Sequence, residues 1–157
     1  GSSFIVRLPL IPAPEAAPLA APLVSTTAPV GSRRVLVVDD NVDAAESLAL
    51  VLRASGHSVW VAFDGETALA RATQVRPDVV VLDIGLPAED GYSIARALRS
   101  RRATAGVTLV ALTGYGQPED VAKALEAGFA HHLVKPVDPE RVLAIVAGIG
   151  ASAPDAP

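Results

Sequence analysis

Five short apolar runs, each of strand length and each separated from the next by a helical pattern, constrain this chain more than any other feature. They fall at residues 35–38, 59–63, 79–82, 107–112 and 130–134. The first, third and fourth are nearly unbroken Val and Leu rather than alternating, the pattern of strands covered on both faces in a parallel sheet. Between them, Val42, Ala45, Leu48, Ala49 and Leu52 recur at helical spacing and stop at Gly56, and Val121, Ala122 and Leu125 do the same before Gly128. Pro118 and Pro139 stand where a first helical turn tolerates proline. The pattern predicts an α/β fold, a doubly wound (βα)5 parallel five-stranded sheet with right-handed crossovers and helices on both faces.

Composition divides the chain around that block. Residues 1–32 hold six of the 13 prolines and only two charges, Arg7 and Glu15. Residues 1–10 read as an apolar arm, 11–32 as an extended Pro/Ala linker, 33–150 as the folded domain and 151–157 as a frayed tail. The prolines interrupt every apolar stretch of the arm and linker, so no spanning helix is predicted there, and a basic start with a compact apolar run, the mark of a signal peptide, is missing. The sequence has no Met, even at position 1, and reads as a processed form or, by preference, a piece of a longer protein. It has no Cys either, which excludes a disulfide scaffold, a thiolate zinc site and a cysteine nucleophile. A net charge of -4 disfavours a nucleic-acid backbone or an anionic membrane as partner.

In open parallel sheets ligands bind beyond the carboxyl ends of the strands. The residues that end the apolar runs are Asp39 and Asp40, Asp83, Thr113 and Lys135, and the predicted topology brings all of them to one edge. Three crowded carboxylates repel one another and call for a proton or a cation, and all-oxygen ligands favour a hard ion, Mg²⁺ or Mn²⁺, over zinc. Lys135 adds a fixed positive charge and Thr113 a hydroxyl. The set suits a carboxylate that attacks phosphorus, with Asp83 as nucleophile and the cations neutralising the transferring oxygens.

The segments VLVVDDN, VVVLDIGLPAEDGY, LVALTGYG and HHLVKPVD, in that order, resemble the receiver domain of two-component response regulators. The spacing agrees: 44 residues from Asp39 to Asp83, 30 from there to Thr113 and 22 more to Lys135. The resemblance covers residue 33 to about 150 and implies a flavodoxin-like receiver fold. It implies Asp83 as phosphoacceptor, with Asp40, Asp83 and the Gly85 carbonyl holding Mg²⁺ directly and Asp39 largely through water. Thr113 and Lys135 are implied to grip the phosphoryl oxygens, and Lys135-Pro136 is the family's usual place for a cis peptide. One position departs. Three residues before the lysine, where receivers often carry Tyr or Phe as a rotameric switch paired with the threonine, this chain has His132, a more polar ring.

GSSFIVRLPL, residues 1–10, also resembles the closing strand of a histidine-kinase ATP-binding domain. That implies the C-terminal receiver of a hybrid sensor histidine kinase, partnered by the phosphoacceptor domain of the same parent or by a histidine phosphotransfer protein, in the cytoplasm. The alternative is a stand-alone single-domain regulator acting by protein contact, with Gly1-Ser2-Ser3 an expression scar. The seven residues after 150 are too few for a DNA-binding output module.

Each site residue also has a plainer reading. Asp39-Asp40-Asn41 suits a helix N-cap, Asp83 a turn before Gly85 and Pro87, and Thr113 a loop before Gly114. Lys135 is harder to read this way, because the chain has 11 arginines and only two lysines. An aspartate-nucleophile phosphatase of the haloacid-dehalogenase type wants a second Asp where Gly85 stands, and a mononucleotide binder wants a phosphate loop where the acids stand. His57, His131 and His132 lack metal-ligand spacing, Arg96, Arg99, Arg101 and Arg102 read as a solvated face, and Trp60 as half-buried core.

Overall fold

The structure is a computed structural model that describes residues 31–114 and 118–149. The arm and tail read from the sequence, and the linker up to residue 30, lie outside the described residues. Within them the strands and helices alternate as β1 (Arg34–Val38), α1 (Val42–Ala54), β2 (Ser58–Ala62), α2 (Gly65–Val75), β3 (Val79–Asp83), α3 (Gly91–Ser100), β4 (Thr108–Thr113), α4 (Pro118–Glu126), β5 (His131–Val134) and α5 (Pro139–Gly148). The five strands form one parallel sheet in the order β2-β1-β3-β4-β5.

The unbroken Val/Leu runs lie in the central strands. Every side chain of Val35–Val38 and Val79–Leu82 has no exposed surface, because both faces of the sheet are covered. Val35, Val37, Val79 and Val81 pack with Ala45, Leu48 and Leu52 of α1 and Val142 and Val146 of α5. Leu36, Val38, Val80 and Leu82 face α2, α3 and α4 through Ala68, Ile94, Leu98 and Ala124. Helix ends follow local chemistry. Asn41 caps α1, Asp64 α2, Asp90 α3 and Asp138 α5, each accepting a backbone N–H of the first turn. Gly56 and Gly128 follow α1 and α4 at φ 90° and 92°, the left-handed conformation that ends a helix cheaply only for glycine.

Three expectations are corrected. Val42, read as part of the buried stripe of α1, is 51% exposed in the first turn. In α4 the apolar stripe lies on other residues: Ala124 and Ala127 are buried, Ala122 is exposed and Leu125 is 64% exposed. Small side chains hold the inward positions there, beside Phe129, so the larger apolar residues mark the wrong face. Strand ends also shift by a residue, since ladder hydrogen bonds rather than apolarity define them. Asp83 and Thr113 are strand residues, paired in register with Leu112 and Val134, whereas Phe63 lies past β2 and is 39% exposed.

Candidate functional site

The parallel topology delivers the carboxyl ends of β1, β3, β4 and β5 to one edge, and the residues singled out there meet. Asp39 follows β1, Asp83 ends β3 and Thr113 ends β4, and all three are buried, at 2%, 5% and 6% exposure. Asp40 is exposed at the rim. Backbone bonds past the strand ends fix the array: Asp39 N–H donates to the Ala62 carbonyl, and Lys135 N–H donates to the Thr113 carbonyl at 2.7 Å. The Lys135–Pro136 peptide is cis.

Lys135 Nζ donates to Asp39 Oδ2 and to Asp83 Oδ2, both at 2.7 Å. Burial works to lower the Lys135 pKa, but the two carboxylates outweigh it and hold the ammonium above its ordinary value. The plainer readings also hold in part, and they explain the geometry. Asp39 Oδ1 accepts Asn41 N–H and Asp83 Oδ1 accepts Gly85 N–H, each two residues on. These turn bonds orient both carboxylates and leave one oxygen of each turned to Lys135. Asn41, not Asp40, is the helix cap.

Oxygens of Asp39, Asp40 and Asp83 lie within 4.8 Å of one another. An all-oxygen trio of this kind, one member open to solvent, fits a hard divalent cation that keeps part of its water shell. Asp83, Gly85, Thr113 and Lys135 line an open cavity of about 350 Å³, together with Ile84, Gly114, Tyr92 and Asp120. Sequence reasoning assigned no role to the last two. Tyr92 belongs to the Asp-Gly-Tyr turn into α3, and the signal available was the glycine before it. A Cβ on Gly91 would stand 2.6 Å from Ile84 Cα and 2.8 Å from the Asp83 carbonyl, so only glycine lets α3 start against the end of β3.

His132 lies on β5 in register with Ala111. It is half-buried, its neighbour His131 is exposed, and its Nε2 is buried without a hydrogen-bond partner. Of the four arginines read as a solvated face, Arg96, Arg101 and Arg102 are exposed and Arg99 is half-buried. Arg99 donates to the carbonyls of Ala105, Val107 and Gly128, Arg101 to that of Leu69, and Arg96 pairs with Asp90.

Comparison with known proteins agrees with this arrangement. The DNA-binding response regulator MtrA of Mycobacterium tuberculosis is 40% identical over 114 residues, 73% of this chain and 49% of the relative, so the chain spans about half the length of that protein. Among solved structures, the chemotaxis response regulator CheY4 of Vibrio cholerae superposes with a TM-score of 0.71 at 29% identity, over 76% of this chain and 99% of that one. A response regulator from Burkholderia pseudomallei, described with a phosphorylated aspartic acid and a calcium ion, superposes at 0.68 with 28% identity, over 73% of this chain and 66% of that one. The model of the response regulator receiver domain matches residues 35–147, a span that holds both cores and the whole acidic edge, and this chain therefore belongs to the response regulator receiver family.

Proposed function

We propose that Asp83 accepts a phosphoryl group from the phosphohistidine of a partner kinase. One Asp83 carboxylate oxygen forms the new bond to phosphorus as the phosphorus–nitrogen bond breaks, and the leaving imidazole nitrogen keeps the electron pair. The observation that carries this reading is the Lys135 ammonium held 2.7 Å from Asp83 Oδ2 inside a cavity that also presents Thr113. Lys135 balances charge on the transferring oxygens, Thr113 is placed to bind one of them, and Gly85 N–H orients the nucleophile. A Mg²⁺ or Mn²⁺ ion held by Asp39, Asp40, Asp83 and the Gly85 carbonyl would supply the remaining neutralisation of phosphate charge. The Burkholderia relative supports the assignment, since its description pairs a phosphorylated aspartic acid with a divalent cation.

The segment at residues 1–10 supports placing this receiver after the ATP-binding domain of a hybrid histidine kinase, in the cytoplasm, relaying phosphate within its parent or to a histidine phosphotransfer protein. The similarity to the DNA-binding response regulator MtrA supports a second reading, the receiver of a response regulator, in which a longer protein containing the domain has a nucleic-acid partner. His132 stands where the partner ring of the Thr113 switch is expected. A ring that keeps one rotamer in the free and phosphate-mimic states would remove it from that role.

The test is intact mass after incubation with Mg²⁺ and a small acyl phosphate, beside an Asp83→Asn variant and a chelated control. One phosphoryl group gained only with Asp83 and the cation present is the expected result. Labelling of Asp83→Asn at the wild-type rate would overturn the assignment.

A further inference from the structure

The cavity around Asp83 has one wall that belongs to no catalytic group. Tyr92, in the first turn of α3, lines it beside Asp83, Thr113 and Lys135, and across the cavity its hydroxyl donates to the Asp120 carbonyl in the first turn of α4 at 3.4 Å. The ring also meets Phe129, just before β5, in a T-shaped contact with centroids 6.3 Å apart. One side chain thus touches the cavity, α4 and the approach to β5.

α4 is the helix for which such a tie counts most. The large apolar Leu125 faces solvent, and the buried residues Ala124 and Ala127 are small, so side-chain packing gives α4 little apolar area to hold it. The Asp120 carbonyl lies inside the helix, and a hydroxyl at 3.4 Å is a long bond that a modest displacement of the ring breaks. At the position where an aromatic switch is expected stands His132, whose Nε2 has no partner.

We propose that Tyr92 is the positioning residue through which the state of Asp83 reaches α4: with Asp83 free the hydroxyl holds α4, and a phosphoryl group and its cation in the cavity displace the ring and release the helix. The proposal rests on Asp83 being the phosphoacceptor. Tyr92 takes no part in the transfer itself. Burial, with the nearby Asp120 and Asp90 carboxylates, holds its phenol above its ordinary pKa, so it stays protonated and able to donate throughout the neutral range.

The experiment measures amide hydrogen exchange over residues 118–126 in the full chain, with and without phosphorylation by a small acyl phosphate, for wild type and Tyr92→Phe. The variant keeps the ring and its contact with Phe129 and removes only the hydroxyl. Both proteins should label to the same extent by mass. Phosphorylation should speed exchange in α4 of the wild type, whereas unphosphorylated Tyr92→Phe should already exchange roughly two- to fivefold faster than unphosphorylated wild type, shrinking its response. Equal responses in two labelled proteins would overturn the coupling and leave the phosphoacceptor intact. Loss of labelling in Tyr92→Phe alone would overturn it too, by placing Tyr92 in the chemistry. Absence of labelling in the wild type would remove the phosphoacceptor reading and the coupling with it.

Discussion

The two ends of the sheet answer opposite problems with opposite charges. In a parallel βα fold every helix begins at the carboxyl edge of the sheet and ends at the amino edge, so unpaired N–H groups gather at one and unpaired carbonyls at the other. At the carboxyl edge, the acceptors Asp39, Asn41, Asp64, Asp83, Asp90 and Asp138 each take a backbone N–H. At the amino edge, Arg33, Arg34, Arg53 and Arg99 each donate to a backbone carbonyl. A net charge of -4 averages over this separation and hides it. The difference in function follows from what is left over. The arginine forks spend themselves on carbonyls, while Asp39 and Asp83 each satisfy one oxygen locally and keep the other for Lys135.

The sharpest break of that comparison is Gly91→Ala. A methyl group there meets backbone, Ile84 Cα at 2.6 Å and the Asp83 carbonyl at 2.8 Å, and backbone cannot rotate away. The variant should lose about 3 kcal/mol or more of folding stability and, at temperatures where it remains folded, label slowly, because the end of β3 is displaced. Urea unfolding and mass labelling check both parts. Wild-type labelling in a destabilised protein would mean the reactive edge tolerates movement of Asp83.

Arg99→Leu attacks the other edge. It leaves the carbonyls of Ala105, Val107 and Gly128 without a donor they now hold at 2.6–2.7 Å. Since the site is partly open to water, the expected loss is about 2 kcal/mol by urea unfolding. Labelling of Asp83 at 20 °C should be unchanged, and a matching fall in labelling would show that the two edges are not separable.

The sequence made the two edges legible to different degrees. Unbroken Val/Leu runs gave the sheet, and their terminal residues gave Asp39, Asp40, Asp83, Thr113 and Lys135, because strand ends are short-range features that topology merely collects. Arg99 read as a solvated charge, since a bond to the carbonyl of Gly128, 29 positions away, has no local signature. Tyr92 and Asp120 escaped for the same reason: their bond joins the first turns of two helices, 28 positions apart. The stripe of α4 was misplaced because burial there selects close approach over hydrophobicity, and alanine carries little periodic signal.

Lys135→Ala tests whether the charge at the reactive edge is exchangeable. It strands two carboxylates with 3% and 7% side-chain exposure beside each other, yet the cavity is open and a divalent cation fits among the same oxygens. Without metal the variant should lose about 1–2 kcal/mol, less than a sealed ion pair would, and millimolar Mg²⁺ should restore more stability to it than it adds to wild type. The same Mg²⁺ addition should do nothing particular for Arg99→Leu. Equal metal effects on wild type and Lys135→Ala would mean that the lysine and the cation do not share those oxygens.

The smallest effect separates the edges by pH. His57 Nδ1 accepts the backbone N–H of Arg33 at 3.2 Å, and burial, aided by the Arg33 charge, holds its pKa below the ordinary value of 6.5. The unfolded chain therefore takes up this proton first as pH falls, so the contribution is complete above the unfolded value and is lost as pH drops through the folded one. At the reactive edge Asp64, whose carboxylate accepts the Thr67 backbone N–H and hydroxyl, has a lowered pKa, and its contribution persists until the pH falls below the ordinary carboxylate value of 3.8. The amino edge is not uniform: burial works to raise Asp78, but the bonds from Arg34 prevail and hold it low as well. Urea midpoints should thus decline slightly from pH 7.5 to 5.5 in the wild type and less in His57→Asn, which keeps an acceptor for Arg33 N–H but does not titrate. Identical declines would assign the slope to another group and leave pH unable to separate the two ends of the sheet, since lowered carboxylates stand at both.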